Sequence, residues 1–183
     1  MQRVLVSDIF GLTDELIELG EKAFGECLII DPYMGEKNKF TDETSAYQYF
    51  TNNVGLEAYS SLVLEKLLSI SGEISVIAFS VGASAMWMLS ERLSPERIAM
   101  AHLFYGSQIR NMPDIRPNFQ LSIVLPRMED HFSVKDMAEF LESIDNVSLE
   151  QSLGLHGFMN RLSRNFNKSE YESYSSRLRE YAI

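Results

Sequence analysis

Six short apolar runs recur along the chain, and stretches of helical period separate them. Gln2–Ser7, Cys27–Ile30, Ile74–Ala78, Ile98–Tyr105, Phe119–Leu125 and Asn146–Leu149 each read as a strand, mostly of β-branched and aliphatic residues. Asp31-Pro32 stops the second run and Pro126 the fifth. Between the first two, Thr13 can cap a helix to about Phe24, with Leu16, Leu19 and Ala23 inward and Asp14 and Glu15 in its first turn. Tyr33–Asn53 is irregular, with room for one short helix around Glu43–Phe50. Leu56, Tyr59, Val63, Leu67 and Ile70 then form one stripe, and Ser71-Gly72 ends that helix. A further helix runs from Ala83 to Leu93, and Ser133 caps another through Ile144. The last, about Ser169–Tyr181, carries Tyr171, Tyr174, Leu178 and Tyr181 at helical spacing, a docking face. Six strands alternating with helices predict a parallel, doubly wound α/β sheet with right-handed crossovers.

Composition narrows the picture. At 183 residues, 45% hydrophobic and 23% charged, the chain reads as one globular domain, 1–183. A net charge of −10 argues against nucleic acid or an anionic membrane as partner. The single cysteine, Cys27, allows no internal disulfide, and without a Cys/His cluster no cysteine-based zinc site is expected. Cys27 opens an apolar run and reads as a small core residue. No apolar stretch approaches the roughly 20 residues of a membrane span, and the N-terminus reads as a strand, so the expected location is cytoplasmic.

On parallel sheets, ligands bind outside the carboxyl ends of the strands, so the residues following strands are the candidates for chemistry. After the third strand comes Ala78-Phe79-Ser80-Val81-Gly82, a strand-to-helix turn with a serine at its apex and small residues two before and two after. It matches the nucleophile elbow, with Ala78 for the first glycine. The competing explanation is that Ser80 only caps the following helix. Asp8 and Ile9 follow the first strand, Glu129 and Asp130 the fifth, and His156 the sixth. His102 lies inside a strand and reads as a packing residue; His131 adjoins Asp130 too closely to pair with it. Nucleophile, acid and base therefore occur as Ser80, Asp130 and His156, the chain order of α/β-hydrolases. His156 would deprotonate Ser80, Asp130 would orient His156, and the Val81 and Ile9 N–H groups would form the oxyanion hole. Asp8 is a candidate supporting residue, more simply a turn-closing one.

These residues sit within motifs that resemble the dienelactone hydrolase family of α/β-hydrolases over nearly the whole chain. Asp8-Ile9-Phe10-Gly11 is similar to the family's oxyanion loop, Asp31-Pro32-Tyr33 to the segment after its second strand, and Ala78–Ala83 to its elbow. Tyr105-Gly106, Asp130-His131-Phe132 and His156-Gly157-Phe158 match further family segments in register. The resemblance implies a minimal six-stranded α/β-hydrolase of strand order 2-1-3-4-5-6 with helices on both faces. It also implies a substrate pocket near Phe10, Tyr33, Tyr105 and Phe158, roofed by parts of Tyr33–Asn53 and Gly106–Pro117.

The departures sharpen the expectation. Ser80 stands where founding members carry cysteine, and Gly35 and Asn160 stand where they carry carboxylate-binding arginines, with Arg161 one position on. The expected activity is therefore a serine hydrolase acting on a small ester, lactone or thioester, with short neutral acyl esters preferred to anionic lactones. No cofactor or metal is implied, and the protein would act as a monomer or homodimer. The rival from another class is a non-catalytic α/β-hydrolase-fold protein that binds a ligand or partner.

Overall fold

The apolar runs assemble into one parallel sheet. In the computed structural model, which describes residues 1–180, β1 (Gln2–Val6), β2 (Leu28–Ile30), β3 (Ile74–Phe79), β4 (Ile98–Phe104), β5 (Leu121–Leu125) and β6 (Val147–Gln151) pair in the order β2-β1-β3-β4-β5-β6. Every pairing is parallel. The central strand β3 is buried at all six positions, as its uninterrupted apolar run requires. Strand limits differ from the sequence reading at the sheet margins. Cys27 and Phe119 precede their strands, and Phe119 is buried from a loop. Asn146 adopts φ 64° and acts as a turn residue, so β6 begins at Val147 and reaches Gln151.

Helices α1 (Asp14–Phe24), α2 (Glu43–Asn53), α3 (Leu56–Ser69), α4 (Val81–Leu89), α5 (Val134–Leu141) and α6 (Lys168–Glu180) complete the layers. Thr13, Asp42 and Ser133 cap α1, α2 and α5, each side chain accepting the N–H three residues on. Side chains alternate across the sheet with period two, so two cores form. Val4, Val6, Val76, Ala78, Leu103 and Ile123 face the layer of α3, α4 and α5. Leu5, Ile77, Phe79, Phe104 and Val124 face α1 and α6. Tyr171, Tyr174 and Leu178 supply the expected docking face of α6; Tyr181 lies outside the described residues. Glu150 on the edge strand β6 accepts both ends of the Arg177 fork at 2.6 Å and the Tyr174 hydroxyl at 2.9 Å, which ties α6 over that side of the sheet. His102 is a buried packing residue, and desolvation pulls its pKa down to about 4.

The short helix expected around Glu43–Phe50 is α2, which starts at Glu43 and runs on to Asn53, and its Phe50 packs edge-on against Tyr59 of α3. The loop after β4 contains a 3-10 turn at Ser107–Asn111. No helix among the described residues is long and apolar enough to cross a membrane.

Candidate active site

β3 ends at Phe79 and α4 starts at Val81, so Ser80 alone turns the chain. It does so at φ 51° and ψ −112°, a region that side-chain-bearing residues avoid at a cost of about 1–3 kcal/mol. Its neighbours hold it there. The Ser80 N–H donates to Phe104 O at 2.9 Å, and its carbonyl accepts from the Ser84 N–H and hydroxyl at 3.0 and 3.1 Å. Gly82 is required by space rather than by φ: a Cβ there would lie 2.4 Å from Ser7 O, so only glycine lets α4 start against the end of β1. Ser80 thus makes no N-cap bond from its side chain, and its hydroxyl is available for another partner.

That partner is His156. Ser80 Oγ and His156 Nε2 are 3.0 Å apart, and His156 Nδ1 lies 2.7 Å from Glu129 Oε1. The two contacts fix a consistent tautomer, with Nδ1–H donated to Glu129 and Nε2 accepting from Ser80. The carboxylate that pairs with His156 is therefore Glu129 and not the expected Asp130. Both follow β5, but the Glu129 side chain is only 12% exposed and turns inward, whereas Asp130 is exposed at the mouth of the cleft without contact to His156. The backbone of the His156 loop is fixed as well. Asn165 Nδ2 donates to His156 O at 2.9 Å, Asn165 N–H donates to Ser163 Oγ at 3.1 Å, and the Ser163 hydroxyl donates to Glu43 at the start of α2. Gly157, at φ 86°, leaves no room for a Cβ beside Ser163.

The β1 loop closes the other side. Asp8 Oδ1 accepts the Phe10 N–H at 2.9 Å, and Oδ2 accepts Asn160 Nδ2 at 2.7 Å. Burial drives the Asp8 pKa up, against the lowering effect of those two donors and of His156. Asp8 is thus the loop-shaping residue, and its carboxylate does not bond Ser80. The Ile9 amide takes no part in the turn bonds, which run from Phe10 and Gly11 to Asp8. Val81 is the first residue of α4, where an N–H has no intrahelical acceptor.

A cleft of about 440 Å³ opens over these groups. Phe10 and Tyr105 line it as expected, whereas Tyr33 and Phe158 do not. Tyr33 lies behind the loop: its hydroxyl donates to Ile9 O at 2.7 Å, and its ring fills the space beside Gly11. Asp31 anchors it by accepting the Tyr33 and Gly35 amides at 2.8 and 2.9 Å. Phe158 is fully buried against Phe104, Tyr105 and Tyr174, fastening the His156 loop to the second core. The Tyr105 ring, on a residue at φ 42°, packs 5.0 Å from that of His156. Glu43 and Tyr47 of α2 roof one side; Ser107, Gln108 and Arg110 of the 3-10 turn wall the other. The Arg110 guanidinium stacks 4.6 Å from the Phe132 ring and donates to Ser107 O.

The sequence reading does not assign Glu129, Asn160, Ser163 and Asn165 these roles. Glu129 carries a signal as the acid next to Asp130 at the end of a strand, and Asn160 as the residue at a family arginine position; Ser163 and Asn165 carry none.

No family model matches the sequence, and no curated protein matches it significantly. Solved structures do. A candidate dienelactone hydrolase from Klebsiella pneumoniae is similar over 98% of this chain and 85% of its own, at a TM-score of 0.76 and 12% identity. A dienelactone hydrolase-like promiscuous phosphotriesterase from metagenomic libraries matches over 100% and 86%, at TM-score 0.65 and 14% identity. Est1E from Butyrivibrio proteoclasticus matches over 98% and 86%, at TM-score 0.61 and 10% identity. Together with the strand order, this likeness establishes the α/β-hydrolase fold.

Proposed function

We propose that this protein is a serine hydrolase of the dienelactone hydrolase type that cleaves a small ester, lactone or thioester through an acyl-serine intermediate. The observation that carries the proposal is the unbroken chain from Ser80 Oγ to His156 Nε2 at 3.0 Å and from His156 Nδ1 to Glu129 at 2.7 Å. A serine hydroxyl attacks a carbonyl only as a base removes its proton. His156 Nε2 takes that proton while Oγ bonds to the carbonyl carbon. Glu129 holds the tautomer and stabilises the imidazolium. The carbonyl oxygen becomes an oxyanion facing the Ile9 and Val81 N–H groups, a class of donor worth about 10²–10³ in rate. Collapse breaks the bond to the leaving oxygen or sulfur, which takes the proton from His156. Water then repeats the sequence on the acyl-serine, His156 again accepting the proton, and the carboxylic acid leaves with Ser80 restored.

The fold supports this reading because esterases share it, and the cleft supports a small substrate because its volume lies at the low end of the roughly 300–1,000 Å³ usual for ligand sites. The test is labelling with a fluorophosphonate probe. Wild type should be labelled at Ser80 and Ser80→Ala should not; equal labelling of both, or of neither, overturns the proposal.

A further inference from the structure

Four residues other than glycine adopt positive φ among the described residues: Met34, Ser80, Tyr105 and Asn146. Met34 lies in an exposed turn, and asparagine tolerates the left-handed region. Ser80 is the turn of the site. Tyr105 has none of these explanations: it is a bulky residue at φ 42°, 1% exposed, directly after β4. The adjacent glycine does not take up the strain. Gly106 has φ −73° and is needed for space, since a Cβ there would lie 2.8 Å from Ile109 and 3.1 Å from Ala83. A strained residue persists only where its surroundings over-determine it, and such residues cluster at active sites. Here the Tyr105 N–H donates to Val124 O at 2.8 Å, and the preceding carbonyl, of Phe104, accepts the Ser80 N–H at 2.9 Å.

The Tyr105 hydroxyl is buried in weak contact with the Met159 backbone and makes no hydrogen bond of normal geometry. Burial raises the phenol well above its ordinary pKa, so it stays neutral and exchanges no proton with the site. What Tyr105 contributes is its ring. The ring lies 5.0 Å from that of His156, tilted by 53°, and 5.4 Å from that of Phe158, two residues along the same loop. The imidazole is otherwise held by two bonds, one at each ring nitrogen, to Ser80 and to Glu129. Both lie close to one line through the imidazole, and neither opposes rotation about that line. A ring packed beside it does. We infer that Tyr105 is a positioning residue for His156, its ring holding the imidazole in line between Glu129 and Ser80. This rests on the serine hydrolase reading and gives Tyr105 a role other than substrate binding. Although it lines the cleft, Tyr105 offers a substrate almost no surface. Proton transfer requires the base to be held within about 0.5 Å and 10–20° of its productive position, so a small swing of His156 is costly.

The experiment measures kcat and KM on p-nitrophenyl butyrate, with thermal melts, for wild type, Tyr105→Leu, Tyr105→Phe and Tyr174→Leu. The last removes a ring of the same core that packs on Phe104 and Phe158 and not on His156. Tyr105→Leu should lower kcat about tenfold to a hundredfold while KM moves by less than about twofold. Tyr105→Phe, which keeps the ring, should recover most of that loss. Tyr174→Leu should lose as much Tm as Tyr105→Leu but keep kcat within about threefold of wild type. Should Tyr105→Leu fail to fold, Tyr105→Met, whose flexible side chain refills the space without a ring, carries the same expectation. Three results overturn the positioning role and leave the hydrolase reading intact: an equal kcat loss in Tyr174→Leu, an equal loss in Tyr105→Phe, or a rise in KM at unchanged kcat. If wild type turns over no ester and Ser80 resists the fluorophosphonate, the hydrolase reading fails. Crystal structures of the Tyr105 variants then still decide the positioning role. His156 swung away from Ser80 or Glu129 in Tyr105→Leu or Tyr105→Met, and in place in Tyr105→Phe, supports it. His156 within hydrogen-bond distance of both in every variant overturns it.

Discussion

Glu129 and Asp130 are adjacent acids, and one is buried against a histidine while the other meets solvent. Their roles separate on mutation. Glu129→Gln keeps the shape but presents an amide that cannot stabilise the imidazolium, so kcat should fall by about two to four orders of magnitude, as for other orienting carboxylates. Asp130→Asn should change it by less than about threefold, since exposed charges contribute little. Steady-state kinetics on one p-nitrophenyl ester suffices, and a comparable loss in both variants would return Asp130 to the site. Asp8 gives a different readout. Burial raises its folded pKa above the ordinary 3.8, so over the interval above 3.8 the folded protein binds more protons than the unfolded one. Its contribution therefore lowers stability as pH rises through that interval. Relative to Asp8→Asn, wild type should lose Tm between pH 4 and pH 7; thermal melts of both proteins across that range check the sign. A parallel course of the two curves would mean that Asp8 ionises as freely folded as unfolded.

At the scale of elements, legibility followed burial. The central strands were readable because a strand covered on both faces must be an apolar run, and Ile74–Phe79 can be nothing else at that length. The margins were less so: Phe119 is apolar because it is buried from a loop, and Asn146 belongs to a turn that its composition alone does not separate from the strand. The Ser80 turn was legible from its small residues, which Gly82 explains by its contact with β1. The Glu129 pairing was not, because which of two neighbouring side chains faces inward depends on a loop's path and not on its composition. The same holds for the bonds joining α2 to the His156 loop, whose members Glu43 and Ser163 are 120 residues apart in sequence. That contact makes α2 a roof fastened to the base. Glu43→Ala removes the acceptor of the Ser163 hydroxyl and the partner of Arg164. The expected result is a fall in kcat of about threefold to tenfold, with Glu43→Gln restoring most of it, since an amide oxygen still accepts the hydroxyl. Kinetics of both variants, with circular dichroism to confirm folding, distinguish positioning from a general loss of structure. Equal loss in the two would assign the effect to the Glu43 charge instead.

Across the whole molecule, the site is assembled from segments that are neighbours only in the finished fold. Ser80 and His156 are separated by 76 positions, and Asp8 and Asn160 by 152, with five of the six strands between the latter two in sequence. Such a topology must meet loop-closure entropy before its long-range contacts reward it. Trp87, the chain's one tryptophan, is fully buried in α4, about two turns along the helix that Ser80 precedes. Burial of Trp87 and completion of the Ser80–His156 contact can therefore be timed separately. After dilution from denaturant, Trp87 fluorescence should report burial of the first core, and fluorophosphonate reactivity should return only once both ends of the chain have met. Stopped-flow fluorescence beside quenched labelling would time the two. A measurable lag would make Ser80 a reporter of the final docking of the C-terminal third, and simultaneous recovery would make folding a single concerted event.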